Sequence, residues 1–188
     1  MIKKIVLACA VLGSSLSAGG FGDKSLIGVE GGYGSMGIER IAPAEPAANS
    51  EHKIGNLGLK IGAESGNYRL FLSGRYFNDS DFDYITTYGV EGQYLFNISK
   101  SVNLFLGING GMANMKFMID NESFSRTISD AYYGGDVGFN IHAAQSVDVE
   151  LGTRIMDLQF ENRKNSVSYR FDSMVSGYVS VIYKFQMD

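Results

Sequence analysis

From Leu26 to the end of the chain, apolar and polar residues alternate with period two, and the alternation recurs in eight separate runs. The first, LIGVEGGYGS, sets Ile27, Val29, Gly31 and Tyr33 against Gly28, Glu30 and Gly32. NLGLKIGAE sets Leu57, Leu59, Ile61 and Ala63 against Gly58, Lys60, Gly62 and Glu64. YRLFLSGRYF opposes Tyr68, Leu70, Leu72, Gly74 and Tyr76 to Arg69, Phe71, Ser73 and Arg75. YGVEGQYLF opposes Tyr88, Val90, Gly92, Tyr94 and Phe96 to Gly89, Glu91, Gln93 and Leu95. The fifth to seventh runs, VNLFLGINGG, AYYGGDVGFNIHA and VDVELGTRI, repeat the scheme, and SGYVSVIYKF closes it with Val179, Val181, Tyr183 and Phe185 on one face. Successive strand side chains point to opposite faces, so each run predicts a strand with one apolar face.

The connections alternate in length. Short ones follow the second, fourth and sixth runs: SGN (65–67), NISKS (97–101) and AQS (144–146). Long polar ones, at 41–52, 78–83, 119–130 and 161–168, follow the others. Both prolines, Pro43 and Pro46, fall in the first long connection and are expected outside any strand, because proline cannot donate to a ladder. Short turns at one end and long loops at the other predict an all-β fold, an eight-stranded antiparallel up-and-down barrel.

Composition agrees. The 188 residues include 24 Gly and 23 Tyr plus Phe (11 and 12), but only 2 Pro, a mixture that favours strands and turns. A 45% hydrophobic and 19% charged content excludes a disordered chain. Net charge is −4 and no strongly basic stretch exists, so nucleic acid is not an expected partner.

The first 18 residues read as an export signal that is cleaved. Lys3 and Lys4 precede the apolar residues 5–12, and residues 15–19 are small apart from Leu16, which places a cut near Ala18. The remaining chain, 19–188, is expected to be the barrel domain, with a net charge of −6 once two lysines are gone (−4 − 2). The only cysteine, Cys9, lies inside the signal, so no disulfide or thiol chemistry is expected. No later apolar run reaches 18 residues, so no transmembrane helix is expected.

Alternation alone does not say which face is inside. A soluble barrel also alternates, with its apolar face inward. Three features favour the inverted arrangement. The non-apolar face is rich in Gly, Ser and Asn, which suit a crowded lumen. Aromatics sit at both ends of the apolar face: Tyr68, Tyr94, Phe96, Tyr183 and Phe185 near the short turns, and Tyr33, Tyr76, Tyr88 and Tyr133 near the long ones. That is the pattern of two interfacial girdles. The runs also have the roughly 9–11 residues a tilted strand needs to cross hydrocarbon.

On these features the chain resembles the small eight-stranded outer-membrane proteins of Gram-negative bacteria, the OmpA-barrel and OmpX-like group. The resemblance covers residues from about 22 to the end and rests on pattern, with GYVSVIYKF as its sharpest segment. It implies residence in the outer membrane, in contact with lipid and lipopolysaccharide, as a monomer. It also implies that Gly177, Val179, Val181, Tyr183 and Phe185 form the signal read by the barrel-insertion machinery. No periplasmic domain follows, so a peptidoglycan-binding role is not expected. Trp, common in the girdles of that group, is absent here.

Candidate chemistry is sparse. Glu30, Lys60, Arg75, Glu91, Glu150 and Arg154 share the polar face at middle depth and are expected to pair as an ion network that plugs the lumen. GYGSMG matches a dinucleotide fingerprint, but no helix follows it, so no cofactor is expected. NDSDFD (78–83) spaces Asp79, Asp81 and Asp83 like the start of a calcium loop, but Tyr84 and Val90 stand where that loop needs Gly and Glu, so no metal site is expected. ENRKNSVSYR (161–170) is a basic loop able to touch lipopolysaccharide phosphates. His142 is expected at the periplasmic end as a packed polar residue. His52, with Asp79 and Ser80, loosely matches the loop placement of lipid A-modifying barrels, though no local motif supports that enzyme.

The expected function is non-enzymatic: envelope integrity, or surface contact and adhesion to a host or surface ligand through the loops. A narrow pore and a lipid A acyltransferase or deacylase are the alternatives.

Overall fold

The computed structural model describes the backbone of residues 23–42, 45–78, 84–118, 125–158, 161–164 and 167–186. Within these, it describes the side chains of 23–37, 52–78, 84–116, 128–158 and 173–186. The expected signal segment, Asp79, Ser80, Asp81 and Asp83 lie outside the described residues, as do the side chains of the basic loop.

The described elements are all strands: β1 (Lys24–Ala42), β2 (Glu45–Ser65), β3 (Tyr68–Asn78), β4 (Tyr84–Asn97), β5 (Val102–Met118), β6 (Ser125–Ala144), β7 (Val147–Leu158), β8 (Glu161–Lys164) and β9 (Val167–Phe185). From β1 to β7 each pairs antiparallel with the next; β7 then pairs with β9, and β9 with β1. The four-residue β8 pairs with the upper part of β9 and continues the line of β7, so the ring has eight staves. Closure is visible in the register. Partners traced from Met36 run through Met174, Met156, Gly134, Asn109, Glu91, Phe71 and Gly62 and return to β1 at Leu26. The path ends ten residues from its start (36 − 26), which is the stagger that tilts the strands of a closed barrel.

Local chemistry fixes the short turns. Gly66 has φ of 55°, a left-handed conformation that glycine adopts without the Cβ penalty, and it permits the tight turn between β2 and β3. The neighbouring Asn67 donates its side-chain amide to the Leu95 carbonyl at 2.8 Å, tying that turn to β4. In the β4–β5 turn, Ser99 Oγ accepts from the amides of Ser101 (3.2 Å) and Val102 (3.1 Å).

The opposite end departs from the expected loops. Much of 41–52 and 119–130 is strand, because β1–β2 pairing runs up to Ala42↔Glu45 and β5–β6 pairing to Met118↔Ser125. Among the described residues β2 meets β3 only from Gly55 downward, so its first ten residues pair with β1 alone, while β1 itself stays paired to β9 as far as Ile41. Pro46 therefore lies inside a strand, against expectation. Its position explains the tolerance. It sits where the register shifts between Arg40 and Ala42, on a stretch of β2 that pairs with β1 alone among the described residues, and both settings suit a residue without an N–H.

The two faces are inverted relative to a water-soluble barrel. Leu57, Leu59, Ile61, Ile108, Ile155 and Val179 stand on the outside, with Ile108 75% exposed and Leu57 71%. The residues between them point inward, and those with long side chains, such as Lys60, Asn109 and Arg154, are buried.

Candidate functional site

The lumen holds three tiers, named here from the short-turn end. The lowest centres on Arg69, a fully buried side chain on β3. Its guanidinium donates to Glu64 (2.7 Å) and Glu150 (3.1 Å), to Asn140 (2.8 Å) and, at a very short contact, to Asp148. Lys60 binds the other oxygen of Glu150 at 2.5 Å. Lys184 and His142 both reach Asp148 Oδ1, at 2.7 and 2.8 Å. Each carboxylate thus faces a cation, the condition under which buried charge is tolerated.

The middle tier joins Glu30, Arg75, Glu91 and Arg154. Arg75 Nε donates to Glu30 at 2.6 Å and its terminal nitrogen closes on Glu91. Arg154 donates to Glu30 at 2.8 Å and lies 3.5 Å from Glu91. Its guanidinium also stands 4.3 Å from the centroid of the Tyr178 ring. Asp136 is held by Gln93 (3.4 Å), Asn109 (3.1 Å) and the Tyr178 hydroxyl (3.3 Å). Glycine makes the room. A Cβ on Gly58 would lie 2.7 Å from Glu30 Cγ and 3.0 Å from Arg75 Cγ, and one on Gly107 would press on the Asp136 carboxylate at 2.8 Å.

All six charges picked out by the alternation face the lumen. The structure divides them between two groups: Lys60 and Glu150 below, and Glu30, Arg75, Glu91 and Arg154 above. Sequence reasoning passed over Arg69, Glu64, Asp136, Asp148 and Lys184. They sit on the same inward parity but nearer the strand ends or on a glycine-rich stretch, and parity counted along whole strands finds them.

The top tier contradicts the expectation of a wholly polar lumen. Met36, Ile54, Phe77, Ile85, Met115, Met156, Leu158 and Met174 form one buried cluster with Ala113 and Tyr132. These residues belong to the inward parity of their strands; the alternation sets Tyr132 on that face, and the others lie in stretches where the sequence reading stopped the strands or assigned no face.

On the outer surface, the short-turn aromatics make contact with one another. Tyr94 lies edge-on to Tyr68 (4.9 Å between centroids) and to Phe96 (4.7 Å), and Tyr183 stacks on Phe185 at 6.0 Å. At the other end Tyr33, Tyr76, Tyr88 and Tyr133 are exposed, and the Tyr133 hydroxyl donates to Asp157 at 2.6 Å. His142 is half-buried near the short turns. His52 is half-buried at the loop end, and Asp79 and Ser80 lie outside the described residues. Among the described residues no group of three or more His, Cys, Asp or Glu is placed to hold a metal.

A closed antiparallel barrel with an apolar exterior and a charged, filled interior is a transmembrane barrel of the bacterial outer membrane. Closure satisfies every strand edge in lipid, and the outward aliphatic band matches hydrocarbon. The sequence profile described as Helicobacter outer membrane protein matches residues 48–185, and the chain belongs to that family. Solved structures with a similar fold are those of Neisserial surface protein A (TM-score 0.64, 12% identity, 86% of this chain and 97% of that one) and OprG from Pseudomonas aeruginosa (0.61, 12%, 90% and 99%). The N-terminal barrel domain of Pseudomonas aeruginosa OprF is also similar (0.52, 10%, 87% and 100%). At these identities the likeness is one of fold. No curated protein matches the chain in sequence.

Proposed function

We infer that the protein is a non-conducting, monomeric barrel that supports the envelope and presents its loop-end hairpins to ligands outside the cell. The filled lumen carries this reading. Eleven charged residues are buried there, and a layer of packed apolar side chains lies above them. A hydrated ion path needs a polar opening through both. The loop-end hairpins β1–β2 and β5–β6 supply the surface for contact. The last strand, through Gly177, Val179, Val181, Tyr183 and Phe185, serves as the segment by which the insertion machinery accepts the chain.

Planar-bilayer recording tests the reading. The purified barrel is expected to leave the baseline current unchanged. Discrete, reproducible conductance steps from the folded protein overturn it in favour of a narrow pore.

A further inference from the structure

The top tier contains an arrangement of sulfur that simple packing does not require. Met36 on β1 is the register partner of Met174 on β9, and Met174 is the register partner of Met156 on β7. All three face inward, all are 0% exposed, and all belong to one cluster with Met115. Directly opposed residues on neighbouring strands place their Cβ atoms about 4.5–5.5 Å apart. A methionine has three flexible side-chain bonds, so thioethers from three adjacent strands at this spacing can converge on one point. His52 stands next in the same row, as the β2 partner of Met36.

We propose that Met36, Met174 and Met156 form a binding site for a soft monovalent cation of the copper(I) class. The donor set selects the ion. Thioether sulfur is neutral and polarisable and suits copper(I), whereas calcium, magnesium and manganese need oxygen donors. Ile54, Phe77 and Leu158 of the same cluster offer no oxygen ligand, and its one oxygen-bearing side chain is Tyr132. Asp136, whose hydrogen bonds come from the neutral Gln93, Asn109 and Tyr178, lies two residues from Gly134, the register partner of Met156.

The experiment uses the full-length barrel refolded in detergent. Silver(I) serves as a redox-inert probe, and copper(I) is added under reductant against a competing chelator. One ion is expected per barrel. The Met36→Leu/Met174→Leu double variant is expected to bind roughly 100-fold more weakly, and Met112→Leu, outside the cluster, as wild type does. Leucine keeps the volume and apolarity of the layer, and gel mobility before and after boiling reports that each variant is folded. Wild-type protein that takes up no silver(I) at micromolar concentration overturns the proposal. So does a folded double variant with undiminished affinity, which makes the sulfurs packing alone. Should the double variant not fold, X-ray absorption on copper(I)-loaded wild type decides: a sulfur-dominated coordination shell supports the site, and a shell of nitrogen and oxygen alone overturns it.

Discussion

At the scale of single residues, this lumen is governed by the cost of an unpaired charge. Arg154 and Arg75 each serve both Glu30 and Glu91, two cations for two carboxylates, and Arg154 also stacks on Tyr178. Arg154→Met removes the cation but keeps much of the volume. It leaves Glu30 and Glu91 sharing Arg75 and is expected to destabilise the barrel by about 3–5 kcal/mol. Denaturant unfolding in lipid vesicles measures this. A loss below about 1 kcal/mol, the range of an exposed pair, means that the carboxylates find water or protons instead. Gly66 shows a backbone constraint of similar clarity. Its φ of 55° is costly for any residue with a Cβ. Gly66→Val is expected to cost about 1–2 kcal/mol in the same assay, with no change in the lumen. A neutral result there means that the turn relaxes to another type.

At the scale of the strand, what matters is that the two faces meet different solvents. On β2, Leu59 points out to hydrocarbon while its neighbour Lys60 points in to Glu150. A charge is therefore welcome at one position and excluded from the next. Leu59→Arg is expected to destabilise the barrel by about 2–4 kcal/mol if position 59 lies at the bilayer midplane. Reversible folding into vesicles of defined thickness reads the loss, and an unchanged folding energy contradicts a lipid-facing β2. Strand ends follow a different logic. Among the described residues β2, β5 and β6 continue past the closed ring because hairpin partners keep bonding their backbones after the ring neighbours stop, while β1 stays paired to β9 as far as Ile41. Alternation fades there, and a reading based on period two ended these strands early. Pro46 strengthened that misreading, since proline argues against a central ladder but not against a free edge.

At the scale of the whole molecule, closure is the organising fact. Every stave has a partner on both sides, so unfolding must break the ring. The protein in outer-membrane fractions is expected to migrate as a compact, fast species on an unboiled gel and to shift on boiling. A species that is soluble in the periplasm and shows no shift contradicts the membrane-inserted ring. The ring also sets what the interior can be. An eight-stave barrel is wide enough only for its own side chains, which is why arginines as large as Arg69 and Arg154 can span from one wall to another.

The sequence by itself determined the number of staves, the identity of the two faces and the side that meets lipid. Alternation is local, and the choice of solvent shows in composition: aliphatics with aromatic ends on one face, glycine and paired charge on the other. It also marked six inward charges, though not their division between two tiers. Only the tertiary structure decided which charges share a tier, because partners such as Arg154 and Glu30 lie far apart in sequence and meet only after closure. The shear likewise belongs to the ring and not to any strand. It sets Met36 beside Met174 and Met156, and so builds an apolar, sulfur-rich cap from residues that each strand offers singly.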